Sequence, residues 1–100
     1  MSIYDTWIVT SPIAHRGLFN ETIPENSIPA FKNAVKNKVS IELDVVALSD
    51  GTPVVFHDSK LARMTGKDGF ISNCTYDEIK DLTLLKSKET IPTLKQALET

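Results

Sequence analysis

The order of the predicted elements in this chain of 100 residues favours an α/β fold with a parallel sheet. Three observations support this prediction: short apolar stretches of strand composition, one stretch with helical spacing between them, and two capping patterns that indicate later helices. No repeat or linker-like segment interrupts the sequence, so we expect residues 1–100 to form one domain or one piece of a domain. In parallel α/β folds, functional residues lie at the carboxyl ends of strands.

Three stretches have the composition of β-strands. The first covers residues 7–9 and 13–14 and is followed directly by the sequence His-Arg-Gly. The second covers residues 39–48, which are largely apolar and β-branched, and the third covers residues 54–56. The turn between them, residues 49–53, contains a glycine that can adopt a positive φ. Polar residues therefore cluster where each predicted strand ends.

The first helix is predicted from its caps and its apolar spacing. Asn26 or Ser27 can cap its amino end, and Pro29 is tolerated in its first turn. Asn37 is expected to end the helix in the left-handed conformation. The apolar residues at helical spacing are Ile28, Phe31, Ala34 and Val35.

The last part of the chain combines a loop with two capping patterns. Residues 61–74 are predicted as loop because two glycines interrupt them. Thr75 with Glu78, and Thr93 with Gln96, have the capping-box spacing that begins a helix. We therefore expect two further helices.

Composition and charge exclude several classes of function. The formal net charge is −2, and the basic residues are scattered, so we expect no nucleic-acid or membrane-surface partner. The single cysteine, Cys74, excludes an internal disulfide and a multi-cysteine zinc site. No apolar window is long enough for a transmembrane helix, and the first residues lack the pattern of a signal peptide, so we expect a cytoplasmic location.

Two acidic residues in the second strand are candidates for metal binding. Glu42 and Asp44 are two positions apart, so on a strand their side chains share a face, roughly 6.6 Å apart. Two carboxylates on one face repel each other unless a cation lies between them. A hard divalent ion, Mg²⁺ or Ca²⁺, suits such oxygen ligands. The alternative is a salt bridge from each acid to a nearby lysine or arginine.

Two histidines and an arginine lie at other strand ends. His15 and His57 could supply a general base and a general acid, or could be structural residues held by hydrogen bonds. Arg16 offers a fork that suits phosphate, or could form a surface salt bridge. Together with the two acids, these residues outline a metal-assisted site for phosphoryl transfer.

Four further residues have open roles. Gly17 either lets the backbone approach a ligand or serves as a plain turn residue. Asp58 either orients the neighbouring histidine or begins a turn. Glu25 and Asn26 precede the first helix, so they either cap it or support the site.

Several motifs resemble the N-terminal part of a glycerophosphodiester phosphodiesterase. They occur in order and with close spacing over nearly the whole chain after residue 12, as AHRG, PENS, AF, IELDV, SDGTPVVFHD, LARMTG and IPTLKQALE. Ser27 stands where that family usually has threonine. The resemblance implies a (β/α)₈ barrel of the TIM type, with its site at the carboxyl ends of the strands.

The resemblance also implies an activity and a set of roles. The activity is the hydrolysis of glycerophosphodiesters to glycerol 3-phosphate and an alcohol. His15 and His57 would be the acid–base pair, Glu42 and Asp44 would ligate the divalent metal, and Arg16 would hold the phosphate. The glycerol 2-hydroxyl would attack phosphorus, and water would then open the cyclic phosphate.

The length of the chain leaves two alternatives open. A (β/α)₈ barrel needs about 250 residues, and the last predicted helix is still periodic at Thr100, so we expect an N-terminal portion that is inactive alone. The family's third acidic metal ligand lies on the next strand, which this chain lacks. One alternative is a non-catalytic module that self-associates through an open sheet edge. The other is a phosphatidylinositol-type phospholipase, whose cyclic product persists.

Overall fold

The computed structural model describes residues 13–100. The predicted strand residues 7–9 lie outside this range. The strands are β1 Ile13–His15, β2 Ser40–Glu42, β3 Val45–Ala47 and β4 Pro53–Val55. The helices are α1 Ile28–Lys36, α2 Ala62–Thr65, α3 Tyr76–Ile79 and α4 Leu94–Leu98, with one 3₁₀ turn at Ile71–Asn73. In the part of the chain that the structure describes, no helix has the length and apolar character needed to cross a membrane.

The predicted second strand is broken, and only its first half pairs in parallel. β2 runs parallel to β1, and His15 lies opposite Glu42. β3 instead forms an antiparallel hairpin with β4, with Val45 opposite Val55. The expectation of one parallel sheet is therefore correct for β1 and β2 and wrong for β3 and β4. The connection between β3 and β4 is too short for a parallel crossover, which needs a dozen or more residues.

The start of α1 follows the prediction for Ser27. Its hydroxyl accepts a hydrogen bond from the amide of Ala30 at 3.3 Å and donates to the carbonyl of Pro24 at 2.6 Å. The face of the helix that is buried comprises Ala30, Phe31 and Ala34. Val35 was predicted on this face, but it is 53% exposed, because it falls at the edge of the apolar stripe.

The end of α1 differs by one residue from the prediction. Asn37 has φ −90°, and the left-handed residue is Lys38 with φ 57°. The amide of Lys38 donates to the carbonyl of Val35, and that of Val39 donates to Ala34, both at 3.1 Å. This hydrogen-bond pair is the Schellman arrangement, which places the left-handed residue one position after the helix cap.

The apolar core lies between the hairpin and the chain that follows it. The predicted loop at residues 61–74 contributes to this core, since Leu61, Met64 and Ile71 are all buried. α2 and the 3₁₀ turn, which we did not predict, direct these side chains inward. We call the buried cluster the hairpin core; it comprises Leu48, Val54, Phe56, Leu61, Met64, Ile71, Ile79, Leu84 and Ile91.

Both predicted capping boxes are present. The amide of Thr75 donates to the carboxylate of Glu78 at 2.9 Å. The amide of Thr93 donates to the side chain of Gln96 at 2.9 Å, and the Gln96 amide donates back to the Thr93 hydroxyl at 3.1 Å. These contacts begin α3 and α4, as the sequence predicts.

Candidate active site

The carboxyl ends of β1 and β2 bring the first candidate residues together. His15 and Glu42 end the two strands at the same level, because the strands are parallel and in register. Nε2 of His15 lies 3.6 Å from Oε1 of Glu42. The His15 side chain is 65% exposed, so it is open to a substrate.

Gly17 allows the chain to turn tightly against α1 just after β1. It has φ +79°, and a Cβ at this position would lie 2.9 Å from both the Cβ of Ala30 and the Cδ1 of Phe31. Its amide lies 3.2 Å from the carbonyl oxygens of Ala14 and Glu42. The glycine therefore permits a close approach of the backbone to α1.

Arg16 lies at the centre of the candidate residues. Its backbone amide donates to Oε1 of Glu42 at 3.1 Å. Its guanidinium lies 3.6 Å from Oδ2 of Asp44, through Nε, and 2.9 Å from Nε2 of His57, through Nη2. Its Nη1 donates to the carboxylate of Glu25 at 3.3 Å. The side chain is only 20% exposed, so Arg16 does not form the surface salt bridge that the sequence left open.

Glu42 and Asp44 flank Arg16 and retain unused oxygens. Oδ2 of Asp44 accepts a hydrogen bond from the amide side chain of Asn26 at 3.1 Å. Within residues 13–100, Oε2 of Glu42 and Oδ1 of Asp44 accept no hydrogen bond. Carboxylate oxygens of this kind are suitable ligands for Mg²⁺ or Ca²⁺. The described residues form no cluster of three potential metal ligands.

His57 lies two residues after β4. A backbone hydrogen bond holds this part of the chain beside Asp44, at the end of the predicted second strand. The amide of Phe56 donates to the carbonyl of Asp44 at 2.9 Å, which places His57 beside Arg16. Arginine has only donors, so Nε2 of His57 must be the acceptor. The ring proton then lies on Nδ1, which donates to Oδ1 of Asp58 at 2.9 Å. Asp58 thus orients the histidine, one of the two roles that the sequence left open.

Glu25 is buried between two arginines. It is 8% exposed, and both of its oxygens contact Arg16 and Arg63. Burial by itself raises the pKa of Glu25, but hydrogen bonds and charges from Arg63 and Arg16 outweigh it and hold the pKa below its ordinary value. Glu25 therefore supports the site, while the cap of α1 is Ser27.

Arg63 links Glu25 to the acid beside His57. It donates to Oδ2 of Asp58 at 2.8 Å, and this hydrogen bond lowers the pKa of Asp58 to about 2 despite partial burial. The hydrogen bonds to Asp58 and, to a smaller extent, to Glu25 raise the pKa of Arg63. We define the arginine circuit as the closed ring of Arg16, Glu25, Arg63, Asp58 and His57.

Sequence reasoning did not single out Arg63, although the motif LARMTG contains it. The only sequence feature that could have indicated Arg63 is its position as a basic residue five places after Asp58. Because an irregular segment and the start of α2 separate the two residues, no helical or strand period relates them. Asn26 was singled out, and the structure places it in the site: it is 3% exposed and contacts Asp44.

The parallel strands β1 and β2, with polar residues at their carboxyl ends, fit an α/β barrel, and comparison with known proteins specifies the family. Residues 15–100 match the glycerophosphoryl diester phosphodiesterase family, so the chain belongs to it. The fold is the N-terminal part of a (β/α)₈ barrel of the TIM type, as predicted.

Curated relatives are longer than this chain. A glycerophosphodiester phosphodiesterase of Caldanaerobacter subterraneus is 42% identical over 97 residues, which are 90% of this chain and 40% of the relative. Glycerophosphodiester phosphodiesterase 1 of Mus musculus is 37% identical over 97 residues, 88% of this chain and 29% of the relative. The chain therefore spans less than half the length of these relatives.

Solved structures of phosphodiesterases also match this chain over less than half of their own length. A phosphodiesterase of Oleispira antarctica, in complex with the product sn-glycerol-3-phosphate, matches with a TM-score of 0.80 and 38% identity over 87% of this chain and 38% of that chain. A glycerophosphodiester phosphodiesterase of Thermotoga maritima matches with a TM-score of 0.75 and 36% identity, over 89% and 38% respectively.

Proposed function

We propose that this chain supplies the acid–base residues and two metal ligands of an enzyme that hydrolyses glycerophosphodiesters to glycerol 3-phosphate and an alcohol. The observation that carries the proposal is that these side chains meet around Arg16. Its guanidinium contacts His57 and Asp44. Its backbone amide donates to Glu42, which in turn contacts His15. The family membership and the product bound to the Oleispira antarctica relative support the choice of substrate.

The two histidines have different partners, which suggests different roles. Nε2 of His57 carries no proton and accepts a hydrogen bond from Arg16, so His57 suits the general base that would accept the proton of the glycerol 2-hydroxyl when the phosphate takes up that arginine. The hydroxyl oxygen then bonds to phosphorus as the bond from phosphorus to the alcohol oxygen breaks. His15, which is exposed, suits the acid that protonates the leaving alcohol. Water opens the cyclic phosphate with the two roles reversed.

Arg16 suits the role of phosphate ligand, since its planar fork matches two phosphoryl oxygens. Glu42 and Asp44 would hold a divalent ion, Mg²⁺ or Ca²⁺, through the oxygens that accept no hydrogen bond from residues 13–100. The ion would offset negative charge on the phosphoryl oxygens when bound. Further ligands would come from water or from residues beyond the described range 13–100.

The product of the reaction tests the proposal. The full-length natural protein is incubated with glycerophosphocholine and Mg²⁺ or Ca²⁺, and the phosphorus products are followed by ³¹P NMR. We expect glycerol 3-phosphate to accumulate. A cyclic phosphate that persists would indicate the phospholipase alternative. Binding of substrate without any turnover would indicate a non-catalytic module.

A further inference from the structure

Arg63 donates four hydrogen bonds to carboxylates, although its side chain is 48% exposed. Its guanidinium donates to the two oxygens of Glu25 at 3.0 and 2.9 Å and to the two oxygens of Asp58 at 2.8 and 3.0 Å. Each carboxylate is thus bound by a fork of two donors, which fixes both the position and the plane of the group. The mechanism proposed above assigns no role to Arg63.

The end of this contact at Glu25 is buried. Glu25 lies directly before the capped start of α1, where Asn26 and Ser27 are also buried. Asp58, at the other end, is the only acceptor that the described residues offer to Nδ1 of His57. With a pKa of about 2, Asp58 is ionised throughout the neutral pH range, so this acceptor is present there.

We propose that Arg63 is a positioning residue for His57, an inference that rests on the function proposed above. By fixing the plane of Asp58 against Glu25, Arg63 holds the ring proton on Nδ1 and leaves Nε2 as the proton acceptor. The hydrogen bond at one ring nitrogen of a histidine determines the state of the other nitrogen. Without Arg63, Asp58 can rotate away, and only the hydrogen bond from Arg16 then opposes a proton on Nε2, where it would block the base.

The test compares Arg63→Met with Lys67→Met in the full-length protein. Lys67 is exposed in the next loop, so its replacement removes the same charge without touching the circuit. Selective ¹⁵N labelling of histidine and long-range ¹H–¹⁵N NMR at pH about 8, above the ordinary histidine pKa of about 6.5, report which ring nitrogen carries the proton. The His57 signals are those lost in His57→Asn.

We expect Nδ1–H in the wild type and in Lys67→Met, and a mixture with Nε2–H in Arg63→Met. We also expect kcat for glycerophosphocholine to fall by about 10–100-fold in Arg63→Met, as for other outer-shell residues, with little change in KM. Arg63→Lys should recover part of both effects, since one ammonium can bind Asp58 but cannot form the fork.

An unchanged Nδ1–H signal in Arg63→Met, or a loss of kcat no larger than that of Lys67→Met, would overturn the proposal. If Arg63→Met does not fold, the same two measurements on Arg63→Lys decide it. If the wild type releases no glycerol 3-phosphate, the proposed function fails, and the histidine signals alone decide whether Arg63 positions His57.

Discussion

The hairpin core and the strand-end site are built in opposite ways. The core packs nine buried apolar residues, each of which is at most 4% exposed. The site contains two non-glycine residues in the left-handed region, Arg16 with φ 58° and Asn26 with φ 51°. It also leaves Nε of Arg16 and Oδ1 of Asn26 buried without a hydrogen-bond partner among residues 13–100.

The difference shows where this fold gains stability and where it loses it. Burial of apolar groups stabilises the core, whereas a strained backbone residue costs about 1–3 kcal/mol and a buried unsatisfied polar group costs about 1–3 kcal/mol. Strain of this kind persists where the surrounding structure enforces it, and it is concentrated at functional sites. Substitutions in the two regions should therefore separate activity from stability.

The largest expected effect is on activity, at the metal ligands. Glu42→Gln should lower kcat/KM by at least about 10²-fold, since outer-shell changes alone cost about 10–100-fold. EDTA should have a comparable effect on the wild type, reversed by added Mg²⁺ or Ca²⁺. Release of glycerol 3-phosphate is the measurement, and Glu21→Gln, at an exposed loop residue, is the control. Undiminished turnover in EDTA would contradict the metal role.

The largest effect on stability is expected in the hairpin core. Leu61 is fully buried, so Leu61→Ala should lower the free energy of unfolding by about 2–5 kcal/mol. Urea unfolding of the full-length protein measures this change. Turnover per folded molecule should remain close to that of the wild type. A loss of turnover with unchanged stability would mean that the two regions are coupled.

A smaller effect is expected at Gly17, which joins the two regions. Gly17→Ala adds a Cβ within 2.9 Å of Ala30 and Phe31 and strains the positive φ, so we expect a loss of about 1–3 kcal/mol. Thermal unfolding measures the change. Gly66→Ala, at a glycine with φ +76° and no neighbour within 4 Å of its Cβ, is the matched control. Equal losses in the two variants would exclude the contact with α1 as the cause.

The smallest effect is expected in the pH dependence of stability. The pKa of Asp58 falls from 3.8 to about 2 in the folded protein, so the unfolded state binds the proton more readily. The stabilisation from Asp58 is thus complete above pH about 4 and is lost as the pH falls towards 2. In Asp58→Asn, the free energy of unfolding should fall less steeply as the pH decreases through this range. Identical acid-unfolding curves for variant and wild type would contradict this prediction.

The sequence predicted the elements that depend on local contacts. The cap at Ser27 and the boxes at Thr75 and Thr93 each join residues three positions apart, so their spacing can be read directly. The placement of His15 and Glu42 followed from the rule that the ends of parallel strands meet. Of the candidate site, these features account for the pair of His15 and Glu42.

The features that the sequence could not predict depend on distant contacts. The apolar residues 39–48 have strand composition throughout, and composition does not reveal that the strand breaks after Glu42 and changes partner. The contacts of Arg63 with Glu25 span 38 positions, and no periodic pattern relates such residues. Residues 61–74 looked like a loop because glycines mark turns but do not show which apolar neighbours are buried.

The most direct test of the account is the release of glycerol 3-phosphate by His15→Ala and His57→Ala, beside Leu61→Ala and the wild type. The account predicts that each histidine variant keeps the wild-type unfolding curve and loses at least about 10²-fold in kcat/KM, while Leu61→Ala loses stability and retains turnover per folded molecule. Wild-type turnover in both histidine variants would contradict the claim that this strand-end site carries the acid–base chemistry.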